Sequence, residues 1–225
     1  MIEIYVVGST KDKYKELDNI RYPYYIDMQH AGDNIDHLNP YYCELTALYY
    51  LWKHSSSDIR GLEHYRTYFY GDDGLLSEHE IEQILASNRF ICGRMHFPTT
   101  LGLPTVLDGM LRGPTMPYVN AFKGVLNDID PMFGWAFETY VNQEWFYPTN
   151  TFITSASTFN EYCSILFFVL NQFVMKTGYN DATRRMAGYM GEAFMGVWLL
   201  VSGVTPYFAH MKKFEKNLEQ IMYTI

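Results

Sequence analysis

The chain has 225 residues, 48% of them hydrophobic and 19% charged, with a net charge of −8. That length and composition suit a folded globular protein able to bury a sizeable core, and they exclude a disordered chain. The acidic balance excludes a general nucleic-acid binder, because phosphate backbones recruit clustered Lys and Arg.

In chain order, Ile2 to Val7 form an apolar run that ends at Gly8-Ser9-Thr10, the pattern of a buried strand and its following loop. Tyr24-Tyr25-Ile26 reads as a second short strand, and Ala31-Gly32-Asp33-Asn34 as a polar turn. A helix is predicted next, capped by Asn39 with Pro40 at its first position and Leu45, Leu48, Tyr49 and Trp52 at helical spacing. Ile59 to Tyr65 reads as a strand running into an aromatic loop. Ser77-Glu78-His79-Glu80 is a capping box, and Arg89 to Gly93 a further strand. This alternation of strands and helices predicts an α/β fold with a mostly parallel central sheet.

Residues 94–117 are rich in Gly, Pro and Thr and read as a long functional loop, including 98–105 and Gly113-Pro114. Helices are expected around Val119 to Ile129 and from Asp130-Pro131 onward. A late strand is expected at Thr151 to Thr154, then a helix capped by Thr158-Phe159-Asn160-Glu161. Another helix is expected to begin near Glu192. The tail 208–222 places Phe208, Met211, Phe214, Leu218 and Met222 on one stripe of an amphipathic helix, read first as docked on the core and alternatively as meeting an anionic membrane surface through Lys212, Lys213 and Lys216. The expected division is an α/β part over 1–93 and a helix-rich part over 94–225 within one domain.

Cys43, Cys92 and Cys163 form no CxxC pair and are expected to be reduced, buried thiols. No apolar run reaches the length of a membrane span, and Met1 runs directly into the first strand, so the expected location is cytoplasmic, with peripheral contact at the inner membrane face left open. Phosphate-binding, dinucleotide-binding, zinc-protease and serine-hydrolase motifs are absent. Asp72-Asp73 and Asp128-Ile129-Asp130 approach the Asp-x-Asp metal motif of sugar transferases, but the second reads better as a helix-end cap. No metal site is assigned, and a divalent cation, manganese or magnesium, is left open.

Two stretches carry a family signature. The first is Asp33-Asn34-Ile35, Asn39, Tyr42-Cys43-Glu44-Leu45-Thr46-Ala47, Tyr49 and Trp52-Lys53. The second is Asp58-Ile59, Gly61-Leu62, His64-Tyr65-Arg66 and Tyr68-Phe69, with later pieces at Asn150, Phe152-Ile153, Glu161-Tyr162-Cys163, Arg185, Gly188-Tyr189 and Glu192. Over about residues 2–200 the chain resembles the bacterial capsular and exopolysaccharide biosynthesis glycosyltransferases, catalogued as domain of unknown function 4422. It departs from their pattern at Asp36, Thr67 and Thr151, where Ser, Arg and Met are expected. The resemblance implies a GT-A-like nucleotide-sugar fold with helices on both sides of the sheet. It also implies a nucleotide-sugar donor, such as a uridine-diphosphate hexose, and a lipid-linked oligosaccharide acceptor. The alternative is a non-catalytic module of the same fold that binds carbohydrate or nucleotide-sugar.

Glycosyl transfer has to stabilise a departing diphosphate and deprotonate an acceptor hydroxyl. Ligands of a parallel α/β sheet bind beyond the carboxyl ends of its strands. Gly8, Ser9 and Thr10 are therefore donor-site candidates, as are Asp33, Asn34, Tyr65 and Arg185. Arg66 and His64 are expected to neutralise the diphosphate in place of a metal motif; a purely structural Arg66 would instead pair with Glu44 or Glu63. Glu44, flanked by Cys43 and Leu45, is expected to orient Arg66 or another cation. Glu192, read as lying after a glycine turn at a helix start that would lower its pKa, is the candidate base. Asn150 is the candidate acceptor contact, and Trp145, Phe146 and Tyr147 offer a stacking face for sugar.

Overall fold

The computed structural model describes residues 1–96, 105–110, 115–214 and 219–222. The first half contains β1 (Ile2–Gly8), β2 (Arg21–Tyr25), α1 (Asn39–Tyr42), α2 (Leu45–His54), β3 (Ile59–His64), β4 (Thr67–Gly71), β5 (Gly74–Leu75), α3 (Glu78–Ser87), β6 (Phe90–Cys92) and β7 (Met95–His96). The second contains α4 (Val106–Met110), α5 (Met116–Ile129), α6 (Pro131–Val141), β8 (Trp145–Phe146), β9 (Phe152–Ser155), α7 (Ala156–Thr177), α8 (Met186–Ser202), β10 (Tyr207–Phe208), β11 (His210–Phe214) and β12 (Glu219–Met222).

The main sheet runs β2-β1-β3-β9-β6-β10. The strands β1, β2, β3, β6 and β10 share one direction, and β9 runs against it between β3 and β6. At the end of β3 the chain turns sharply into β4, which leads an antiparallel ribbon through β11 to β12. Strands from the second half thus complete the sheet begun by the first.

Strand periodicity explains the layering. Successive side chains point to opposite faces, so Phe90, Cys92 and Phe152 join the large core under α2 and α5 to α8, while Ile91 and Ile153 join a smaller one with Ile2, Ile4 and Ile81 of α3. On the larger side, the Phe90 and Phe152 rings stack at 4.8 Å and Tyr162 of α7 meets Phe152 edge-on at 5.2 Å. Helices therefore cover both sheet faces, which closes the exposed apolar surface of parallel strands.

The expected helix starts hold at two places. Ser77 and Glu80 make the capping box of α3, and the Asp130 carboxylate accepts from the Met132 amide at 2.8 Å ahead of Pro131 in α6. Elsewhere the elements differ. The helix predicted from Asn39 is broken at Cys43, whose φ of 52° cannot continue it; Asn39 is its first helical residue and Leu38 its cap. The α7 helix is capped by Ser155, three residues before the predicted box. The α8 helix begins at Met186, so Gly188 and Gly191 lie inside it and Glu192 stands nearly two turns in.

The tail is not an amphipathic helix. Residues 210–214 form β11, and Met211 and Phe214 are buried against β4, with Phe214 edge-on to Tyr68 at 6.0 Å. Strand pairing with β4 overrides the local period. Leu218 and Lys216 lie outside the described residues, as do most of 98–105 and Gly113-Pro114. Among the described residues no helix is long and apolar enough to cross a membrane.

Candidate active site

The carboxyl ends of the parallel strands meet at one edge. Val7 is paired with His64, so Gly8 and Tyr65 leave the sheet side by side, and the Tyr65 amide donates to the Val7 carbonyl at 2.8 Å. Leu62 is paired with Phe152, and the turn Pro148–Asn150 just before β9 packs beside β3. His64, Tyr65, Arg66 and Asn150 are brought together by topology, although 84 residues separate the last two.

Gly8 is small for Tyr65: a Cβ there would stand 2.9 Å from the Tyr65 Cβ and 3.0 Å from the Tyr14 hydroxyl. The Ser9 amide donates to Asp12 at 2.7 Å. The Thr10 amide and hydroxyl donate to Asp27 at 2.8 and 2.6 Å, which holds that carboxyl below its usual range. These donors therefore serve the loop's own carboxylates. Asp33 accepts from the Tyr49 hydroxyl at 3.1 Å, and Asn34 donates to the His30 carbonyl at 2.8 Å. Both shape the loop after β2, where Asp36 receives the Tyr24 hydroxyl at 2.9 Å and the His30 ring stacks on Tyr24 at 4.0 Å.

Arg66 is paired with neither Glu44 nor Glu63. Glu63 is held by Arg21, and Glu44 by Asn150. The Arg66 guanidinium lies 5.4 Å from the Tyr65 ring centre, and among the described residues no carboxylate forms an ion pair with it. His64 is surrounded by positive charge. Burial first and Arg66 second push its pKa down to about 4; Asp12 opposes them, and Lys213 and Arg185 add smaller downward effects. The expectation that His64 helps to neutralise a diphosphate is corrected by this environment: a neutral imidazole adds a hydrogen-bond group but no charge. The cations acting on His64 are Arg66, Arg185 and Lys213. The last was missed because a helical tail would have turned it to solvent.

Arg185 also belongs to a strained knot. Non-glycine residues with left-handed φ are uncommon, and holding one costs of order 1–3 kcal/mol. The four among the described residues are Cys43, Thr149, Asn150 and Arg185, at φ of 52°, 58°, 51° and 66°. All four gather about Glu44 and Glu192. The Arg185 amide donates to the Pro40 carbonyl at 2.9 Å, tying the start of α8 to α1. Asn150 Nδ2 donates to Glu44 Oε1 at 2.7 Å. The Thr149 amide and Arg185 are within electrostatic reach of Glu192, and Arg185 also of Glu44 and His64.

Glu192 is a corrected expectation. Because it lies inside α8, no helix terminus lowers its pKa. Burial first, and the Glu44 charge second, raise it to about 8, opposed by the Thr149 amide and Arg185. Glu44 is also raised, by burial against the Asn150 bond. Asn150 is fully buried, so it steadies Glu44 and does not meet an acceptor directly. Near the same edge, Arg94 lies 5.4 Å from the Trp145 ring centre and 4.4 Å from that of Phe208, while Tyr147 is buried and its ring stacks on Tyr140 at 5.7 Å.

The acidic pairs lie elsewhere. Asp72 and Asp73 occupy the β4–β5 turn, at the end of β4 away from Arg66, and Asp130 caps α6. Among the described residues no three His, Cys, Asp or Glu side chains converge to hold a metal ion. A cleft of about 780 Å³ between α5 and α7, lined by Val125, Asp128, Ile129, Phe168, Met175 and Lys176, is on the helical side of the molecule and holds none of Glu44, Glu192, His64, Arg66 and Arg185.

No curated protein matches the chain. Among solved structures, the apo structure of the bifunctional glycosyltransferase WbbM shares its fold, with a TM-score of 0.80 and 20% identity over 98% of this chain. The chain spans 46% of that protein's length. A GT-A-like arrangement of sheet and helices is thus common to both. Residues 3–203 match the family described as Domain of unknown function (DUF4422), and the chain belongs to it.

Proposed function

We propose that the chain is a glycosyltransferase that moves a hexosyl group from a nucleoside-diphosphate sugar, uridine-linked by preference, to a lipid-linked glycan in surface-polysaccharide synthesis. The observation that supports this most is the half-buried carboxylate pair Glu44 and Glu192 within electrostatic reach of Arg185, which together with Arg66 and Lys213 also surrounds His64 at the carboxyl end of β3. Cations suit a departing diphosphate and a carboxylate of raised pKa suits proton removal, so the two requirements of transfer stand side by side. The shared fold with a bifunctional glycosyltransferase agrees with the reading.

In this reading the bond between the sugar's anomeric carbon and the diphosphate oxygen breaks as one to the acceptor oxygen forms. Arg66 and Arg185 take up charge developing on the diphosphate, and neutral His64 offers it a hydrogen bond. Glu192 receives the acceptor's proton. Tyr65, partly exposed beside Arg66, supplies a ring face for the donor's base or sugar.

Titrating the folded protein with nucleotide-sugars by calorimetry, with and without manganese, tests the proposal. One donor should bind, and Arg66→Ala should weaken it by about 10-fold or more, the worth of a charge-assisted contact. A folded protein that binds no donor would overturn it in favour of a non-catalytic module.

A further inference from the structure

The junction of α1 and α2 is pressed against α8 through glycine. A Cβ on Gly191 would stand 2.6 Å from Leu45 Cδ1, and one on Gly188 would stand 3.1 Å from Cys43 Sγ. Glu44 lies between the two residues that touch these glycines, and Glu192 follows the second of them. Close backbone approach therefore sets both carboxylates in one seam. The Thr149–Asn150 turn closes it: both of its residues have left-handed φ, Asn150 Nδ2 donates to Glu44 and the Thr149 amide is within electrostatic reach of Glu192.

Nothing in ordinary packing calls for this. Two like charges in one seam repel, and a buried polar atom without a partner is unfavourable. Yet Asn150 is fully buried and its Oδ1 has no partner among the described residues. The seam instead resembles other sites where backbone strain holds a functional group in place.

We propose that Glu44, held by Asn150, is a positioning residue whose charge, added to the effect of burial, tunes Glu192 as the base that takes the acceptor hydroxyl's proton. This rests on the glycosyl-transfer reading for the identity of the acceptor, though the carboxylate pair can be tested without it. Each element facing Glu192 supplies a named group: Cys43 and Glu44 from the α1–α2 junction, Tyr140 from α6, Arg185 from the start of α8 and the Thr149 amide. Burial pushes the Cys43 thiol up to about 12 and the Tyr140 hydroxyl well above its usual value, and Arg185 stays charged. Between pH 4 and 9, roughly, the seam's titrating groups are the two carboxylates, which share macroscopic steps. A base with affinity near the working pH combines an available ionised form with a strong pull on the proton.

The test follows the side-chain carboxyl resonances of glutamate-labelled protein by NMR against pH. The intact protein should show a carboxyl signal with a midpoint near 8, absent in E192Q. In E44Q that midpoint should fall by about one unit or more, because the like charge is gone. The amide in E44Q can still accept from Asn150, so the fold should persist; if that variant does not fold, E44D, which draws the charge back by one methylene, should still lower the midpoint, and a midpoint unmoved in E44D overturns the proposal. A Glu192 signal titrating in the ordinary carboxylate range, or one unmoved in E44Q, overturns the proposal. Given an acceptor, the rise of kcat/KM with pH should shift downward in E44Q by the same amount, which a purely structural Glu44 would not produce. A midpoint near 8 that responds to E44Q, without acceptor-dependent turnover for any donor, supports the pair and rejects the glycosyl-transfer reading.

Discussion

The turn that presents His64, Tyr65 and Arg66 is held from behind by Arg21, and the energetics of that support can be worked out. The Arg21 side chain, from β2, is fully buried; its Nε donates to Glu63 Oε2 at 2.7 Å and its Nη2 to Oε1 at 3.3 Å. Arg21 also donates to Asp18 at 2.7 Å and to the Leu76 carbonyl at 3.0 Å. Glu63 Oε1 accepts from the Phe69 amide at 3.0 Å, so the pair fastens β4 to β3 around the turn. Arg21→Met keeps much of the stem's volume but leaves the buried Glu63 with a single donor. Breaking a buried pair this way costs about 3–5 kcal/mol. The double variant Arg21→Met/Glu63→Leu removes the stranded charge and should regain about 2 kcal/mol, the remainder reflecting the Phe69 amide left without its acceptor. Urea unfolding at pH 7, followed by circular dichroism, measures all three proteins. The pH dependence has a definite sign. Burial already raises the Glu63 pKa against the pull of Arg21, and losing Arg21 raises it further. A group with a raised folded pKa stabilises most below its unfolded value and loses that contribution as pH rises through the folded one. The Arg21→Met variant should therefore recover stability as pH falls from 7 toward 4.5. A loss below about 1 kcal/mol, or a double variant no more stable than the single, refutes the reasoning.

Other outcomes follow from single contacts. Gly191→Ala should lower stability by about 1 kcal/mol net, because overpacking against Leu45 exceeds the gain in helix propensity; an unchanged urea midpoint would contradict the tight seam. His64 has its folded pKa depressed from 6.5 to about 4, so its contribution to stability is present above 6.5 and is lost as pH falls toward 4. Thermal melts should therefore show His64→Asn losing less stability than the intact protein between pH 7 and pH 5. Phe214→Asp places a carboxylate at a site only 8% exposed and should cost about 2 kcal/mol or more, measured by urea unfolding; an unchanged midpoint would contradict its burial against Tyr68.

Periodicity and capping made much of the scaffold legible. Ile2 to Val7, the Ser77 box and Asp130-Pro131 act through neighbours in sequence, and each forms the element its residues specify. Sequence also marked Arg66, Arg185 and Glu192 as a cation-and-carboxylate set. What it could not mark was decided by residues far along the chain. The break at Cys43 needs Gly188 across the seam, and the strand at 210–214 needs β4 as its partner. Glu192 looked like a helix-start carboxylate because glycines beside it suggest a turn; in the fold those glycines admit the α1–α2 junction. His64 looked cationic because burial and three neighbouring cations are tertiary facts. Asn150 looked like a ligand contact, yet complete burial makes it a support.

The central claim is that Glu192 takes the acceptor's proton while the cations hold the donor. With the donor found by calorimetry, acceptor-dependent release of nucleoside diphosphate by the intact protein and by Glu192→Gln tests it most directly. The account predicts release only when acceptor is present, and a Glu192→Gln variant that binds donor with unchanged Kd but turns over about 100-fold more slowly or worse. A Glu192→Gln variant that transfers at the intact protein's rate, or release that needs no acceptor, would contradict it.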